Sequence, residues 1–279
     1  MKTRLRDIVF THVLLLAAST AVLYPVLWVL RLALSAEGQL TQAGAEFHAT
    51  GQNFHAFFFA QDFYGRPLFL IQLGNSLLVS GVATIFGVLC AVSASYGFSR
   101  LSFPLRDAGL RGMLVSQMFP AVVTGVPLLF ILDALGLFGT TAGLVLVYAT
   151  SSVPFSIWML KGYFDAIPKD LDEAARLDGA SSFVIFRRIM LPLVRPGIGI
   201  TALFAFMTAY NEFIMASLFL DDVTDYTLPV TLQQYVGGFD PSWGIFAAGS
   251  LVLSLPIVLL FFYVQKQMVG GLVSGAVKG

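Results

Sequence analysis

The chain holds 279 residues, 57% of them hydrophobic and 11% charged, and its 16 basic and 16 acidic residues leave no formal net charge. A soluble domain carries about 25% charged residues, so the composition excludes a soluble globular enzyme, and without a basic excess there is no footprint for nucleic acid. The single cysteine, Cys90, lies in an apolar run and excludes an intramolecular disulfide; it reads as a small buried packing residue.

A membrane-crossing helix needs about 20 mainly apolar residues. Six stretches meet this, at roughly 8–31, 70–98, 110–132, 140–162, 193–219 and 244–265. The expected fold is therefore all-α: a polytopic protein of the lipid bilayer, one transmembrane domain over 1–279 with six transmembrane helices. The first run is long enough to span and no small-x-small site follows it, so no cleavable leader is expected. Every Lys and Arg except Arg31 and Arg66 falls on one side of these spans. The positive-inside rule puts that side, and with it both termini and the tail 266–279, in the cytoplasm.

The outside then holds 32–69, a turn near 133–139, and 220–243. Phe47, Phe54, Phe57, Phe58, Phe59, Phe63 and Tyr64 crowd the first of these loops, which predicts an interfacial helix at the membrane surface. Pro25, Pro120, Pro127, Pro154, Pro196 and Pro256 interrupt spans. In a bundle they kink helices or open them around a cavity, and Pro120 with Pro127, around Gly125, predicts a bend in the third span. Gly74, Gly81, Gly87, Gly197 and Gly199 permit close helix packing.

The longest polar interruption of the C-terminal half is 168–192, within a loop at 163–192. Pro168 suits a helix start because its missing N–H needs no partner there. Asp170, Asp172 and Glu173 put negative charge near the positive end of that helix. Leu171, Ala174, Ala175 and Asp178 share one shallow face, and Gly179 stops the helix where φ turns positive. Ser181 or Ser182 caps a second helix, with Arg187 and Arg188 toward its C-terminal end, and Leu191-Pro192 marks the return to the bilayer.

One acid, Glu212, falls inside a span. An intramembrane carboxylate is costly and marks a functional site by default: it lines a polar pathway, holds a proton for coupling, or pairs with a neighbouring subunit. The last outer loop carries Asp221, Asp222, Asp225 and Asp240, and Gly237, Gly238 and Pro241 predict a bent, irregular tip. None of the five lysines follows a glycine, so no phosphate-binding loop G-x-x-x-x-G-K-[ST] exists. His12, His48 and His55 have no metal-ligand spacing, and no nucleophile–base arrangement stands out. No catalytic residue, metal or resident cofactor is expected.

Glu173-Ala174-Ala175, Gly179, Ile189 and Leu191-Pro192 resemble, in identity and spacing, the EAA loop of bacterial ABC importer permeases. Further stretches narrow the resemblance to the maltose/maltodextrin permeases of the carbohydrate-uptake branch. These are Gln117-Met118-Phe119-Pro120-Ala121-Val122, Lys161-Gly162-Tyr163-Phe164, Tyr226-Thr227-Leu228, Gln233-Gln234-Tyr235 and the tail from Gly271-Leu272. The resemblance implies the type I ABC importer permease fold in a bacterial inner membrane. It also implies a MalF-like second membrane subunit, two MalK-like ATPase subunits that hold ATP and Mg, and an extracytoplasmic sugar-binding protein.

By the same resemblance Asp172, Glu173, Ala174, Ala175, Leu177, Asp178 and Gly179 form a coupling helix that docks on the ATPase. Ser274, Gly275, Ala276, Val277 and Lys278 enter the ATPase interface. Gly237, Gly238, Phe239, Asp240, Pro241, Ser242 and Trp243 contact the binding protein as a scoop. The membrane sugar pocket is implied to lie mainly on the partner subunit. The alternative reading is a proton-coupled secondary transporter built on Glu212.

Overall fold

The computed structural model describes residues 5–36 and 47–276, giving only the backbone for 5–7, 121 and 267–276. Among the described residues twelve helices follow one another: α1 Leu5–Ala33, α2 Gln52–Phe58, α3 Leu68–Arg100, α4 Arg106–Ser116, α5 Ala121–Ala134, α6 Thr141–Asp165, α7 Asp170–Leu177, α8 Ser182–Val184, α9 Leu191–Asn211, α10 Ile214–Phe219, α11 Leu228–Gln234 and α12 Trp243–Ala276, with a π-helical stretch, Ile185–Met190, joining α8 to α9. Among the described residues there is no strand, and two isolated bridges, Ser35 with Ala49 and Gln61 with Pro67, pin loop ends.

Among the described residues, five helices are long and apolar enough to cross a membrane: Ile8–Ala33, Leu68–Arg100, Thr141–Asp165, Ser182–Asn211 and Trp243–Lys266. The third expected span is not one helix. It breaks at 117–120 into α4 and α5, because Pro120 cannot donate within a helix and instead caps α5 at φ −59°, ψ 136°. The bend expected between Pro120 and Pro127 is thus a full interruption that begins before Pro120.

The second helix of the polar loop corrects the sequence reading in the other direction. Ser181 Oγ does cap it, accepting from the Val184 N–H. Yet the helix does not end at Arg187 and Arg188. It runs through the π-helical turn into α9, so Leu191-Pro192 lies within a continuous helix. Pro192 would thrust its ring against the preceding turn of a regular α-helix, and a wider π turn upstream gives it room.

The chain forms two compact units, residues 1–69 with 231–255, and 70–230 with 256–279. In the second, α6 packs along α9, and three apolar clusters follow one another down the helices. The first gathers Val79, Leu144, Tyr148, Met215 and Phe219; the next Val88, Ala91, Ile157 and Ala205; the last Phe164, Ala175, Ile185, Met190 and Val194. Gly197 lets α9 touch α6: a Cβ there would sit 2.5 Å from the Tyr163 ring. Cys90, expected to be buried, is exposed.

In the first unit, Asn53 of α2 is buried and its Nδ2 donates to the Ala33 and Ser35 carbonyls at 3.0 and 2.8 Å, satisfying the end of α1. Phe57 packs edge-on against Phe69, while Phe63 and Tyr64 stay exposed. The aromatic loop thus supplies both a packed helix and an exposed pair of rings that meet edge-on.

The final outer loop is also more ordered than its composition predicts. Leu228 and Val230 of α11 are buried. Gln72 and Asn75 of α3 donate to the Val223 and Thr224 carbonyls at 2.9 and 2.7 Å, and Ser76 Oγ accepts the Leu228 N–H at 2.7 Å. What projects is only the tip after α11.

Candidate functional site

The polar loop folds as a short helix stopped by Gly179, whose φ of 81° a side chain would strain. Its two faces differ. Asp172 and Ala175 are buried, while Leu171, Glu173, Ala174, Leu177, Asp178 and Gly179 are exposed, Leu177 at 89%. This divides the face expected from periodicity, with Ala175 turned inward and Leu171, Ala174 and Asp178 outward. Ala175 packs with Phe164, Ile185 and Met190.

Asp172 is held from within. Its Oδ2 lies 2.5 Å from Arg100 Nε, at the end of α3, with both side chains more than nine-tenths buried. Arg100 Nη2 also donates to the Ile167 carbonyl at 2.8 Å, and Nη1 to Ser99 Oγ at 3.0 Å. Ser99 Oγ in turn donates to Asp165 Oδ1, which shares its carboxylate with Lys161. The ends of α3 and α6 are therefore tied by charge-assisted hydrogen bonds, and Asp172 of α7 joins them through its ion pair with Arg100. Two buried charges carry a desolvation cost that their attraction offsets only with good geometry. With Ala175 packed on Phe164, this pair joins α7 to both α3 and α6.

A second constellation lies where two spans are broken. Glu212 follows the last residue of α9 with ψ 129°. Its carboxylate accepts from the Met215 N–H at 3.0 Å and the Ala216 N–H at 3.4 Å, capping α10, and Tyr148 Oη donates to Oε2 at 2.6 Å. The Glu212 break and the 117–120 break border one cavity of about 450 Å³. Its lining includes Ser116, Gln117, Phe119, Tyr148, Thr150, Ser151, Ser152, Thr208 and Glu212. Non-helical backbone at membrane depth is tolerated where it is buried in protein or lines a cavity, and both breaks border this cavity.

Of the tip residues, Gly237 is tied back by its N–H to the Gln233 carbonyl at 2.9 Å, and Ser242 by its N–H to the Tyr235 carbonyl at 2.8 Å. Phe239 between them is fully exposed, and Gly238 and Asp240 are exposed too. Trp243 begins α12 and stacks edge-on with Phe246. Of the expected tail contacts, Ser274, Gly275 and Ala276 end α12, and Val277 and Lys278 lie outside the described residues.

Sequence reasoning missed Arg100, because its partner Asp172 is remote in the chain. It also missed the cavity's hydroxyls, although the run Thr150-Ser151-Ser152 inside an apolar helix was a visible signal.

Helices broken around a polar cavity, beside a short exposed helix braced on the ends of the spans, define a transport permease of the type I ABC importer fold. The chain belongs to the family of binding-protein-dependent transport system inner membrane components, whose pattern matches residues 83–268. Among its relatives is the Maltose/maltodextrin transport system permease protein MalG of Escherichia coli strain K12, 35% identical, with 100% of this chain and 98% of the relative covered. The structure resembles a bacterial ABC transporter involved in the import of the acidic polysaccharide alginate, with a TM-score of 0.73 at 19% identity over 95% of this chain and 99% of that one. It also resembles the MetNI methionine ABC transporter in an inward-facing conformation, with a TM-score of 0.60 at 19% identity over 71% of this chain and 94% of that one. Neighbours with unlike cargoes show that the fold alone does not choose the substrate.

Proposed function

We propose that this chain is the permease subunit through which an ABC importer passes maltose, maltodextrin or a related oligosaccharide, at the bacterial inner membrane with both termini cytoplasmic. The observation that carries the reading is the exposed face of α7, braced by the Arg100–Asp172 pair in a chain similar over its full length to a maltose/maltodextrin permease. In this reading the chain catalyses nothing. Two MalK-like subunits bind ATP and Mg, and one of them receives Glu173, Ala174, Leu177, Asp178 and Gly179 in a surface cleft. When the ATPases close, the docked helix moves, and the joint carries that motion into α3 and α6.

A MalF-like subunit forms the other wall of the path. The tail 274–278 reaches the ATPase interface. The tip 237–243 meets an extracytoplasmic sugar-binding protein, where Phe239 offers a ring to a sugar face. Binding protein and ATP then stabilise one and the same state, so each strengthens the other's hold on the transporter.

Nothing observed favours proton coupling through Glu212. Its carboxylate caps α10 and accepts from Tyr148, and no second acid lines the cavity among the described residues. The test is uptake of labelled maltodextrin by the whole complex in proteoliposomes. Uptake is expected to need binding protein and internal ATP and to persist with a protonophore. Loss of uptake under protonophore at constant ATP would overturn the reading.

A further inference from the structure

We propose that the cavity around Glu212 is a sugar-contact site contributed by this chain itself, so that the sugar is handled on both walls of the path and not by the partner subunit alone. The inference rests on the reading of the protein as a maltodextrin permease.

The chemistry of the lining carries it. Thr150 Oγ1 donates to the Leu146 carbonyl at 2.8 Å, Ser151 Oγ to Val147 at 2.7 Å, Ser152 Oγ to Ala149 at 2.9 Å and Thr208 Oγ1 to Phe204 at 2.9 Å. Ser116 Oγ likewise donates to Met113 at 2.7 Å. Each hydroxyl hydrogen is thus spent on its own helix, and what remains on each oxygen is acceptor capacity. Gln117 Nε2 gives one of its two hydrogens to the Ser151 carbonyl at 2.9 Å. The polar atoms of the wall are therefore mostly acceptors, set among Leu128, Pro154, Ala209 and Met215, and their natural complement is a molecule with donor hydroxyls and apolar faces.

Three observations narrow the occupant. The volume of about 450 Å³ falls within the range of about 300–1,000 Å³ typical of small-molecule sites. Phe119, 59% exposed and held in the non-helical break, presents an aromatic ring beside the acceptors, the pairing that suits a ligand with one apolar face and a polar edge. The charge of Glu212 is already met by Tyr148 Oη and the N–H groups of Met215 and Ala216, so the site asks for a neutral polyol and not a cation.

The experiment introduces Thr208→Cys or Ser151→Cys into a Cys90→Ala background and follows alkylation by a small water-soluble thiol reagent in the reconstituted complex during turnover. Maltotetraose delivered by the binding protein is expected to slow the reaction several-fold at both positions. A polyol of similar size that the complex does not import should leave it unchanged. If the parent complex imports maltotetraose while both cysteines react equally fast with and without it, or if the non-transported polyol protects equally, this inference is overturned and the functional reading stands. If the parent complex imports no maltodextrin, the functional reading is overturned and this inference with it.

Discussion

The joint around Arg100 and the cavity around Glu212 are both polar islands in an apolar protein, and they are built on opposite plans. At the joint the central pair is buried and each charge is turned toward another group of the same chain: Arg100 to Asp172 and Ile167, Ser99 to Asp165, and Asp165, nearer the surface, to Lys161. At the cavity the carboxylate is met from one side and the hydroxyl oxygens border open space. A closed network transmits force and binds nothing, whereas an open one has valence left for a ligand. Under the proposed reading, each region takes one of the two jobs of a permease.

The joint breaks with the largest effect. Asp172→Ala leaves Arg100 charged and buried without its partner, and removing one member of a buried pair costs about 3–5 kcal/mol. The expected outcome is a steep loss of thermal stability in detergent and of assembled complex. The double variant Arg100→Met, Asp172→Leu should recover most of that stability, since an apolar pair of similar volume is often neutral or better. Recovered stability without recovered sugar-stimulated ATPase would sharpen the contrast by showing that the joint serves transmission. A single variant as stable as the parent would break it.

Gly179→Val comes next. The position has open space around it but a φ of 81°, and a β-branched residue held there costs on the order of 1–3 kcal/mol. The strain is local to the end of α7, so membrane insertion and the folding of the spans should be retained while binding-protein-stimulated ATPase falls several-fold. Unchanged stimulation would mean that the turn after α7 does not set how the helix is presented.

Much of this was legible in the sequence, and the remainder was hidden for a physical reason. Span positions follow from the local cost of exposing apolar residues to water, and α7 with its Gly179 stop follows from Pro168, the acids of its first turn and a single glycine. Which face of α7 turns inward does not follow, because Arg100, a residue remote in the chain, decides it. The same holds for α11, which reads as loop until Gln72, Asn75 and Ser76 of α3 satisfy its backbone and that of the turn before it. Glu212 was conspicuous as an acid in a span. That it caps a helix at a break depends on α10 being a separate helix and on Tyr148 arriving from α6.

The most direct test of the account concerns the two faces of α7. In a Cys90→Ala background, a cysteine is placed at Leu177, which is exposed, or at Ala175, which is packed against Phe164 and Met190. Each complex is then treated with a short thiol-to-amine cross-linker. Leu177→Cys should cross-link to the ATPase subunit, with a yield that changes between ATP-bound and nucleotide-free complex, and Ala175→Cys should not. Cross-linking from Ala175→Cys as efficient as from Leu177→Cys would contradict the assignment of the outward face to docking and the inward face to transmission.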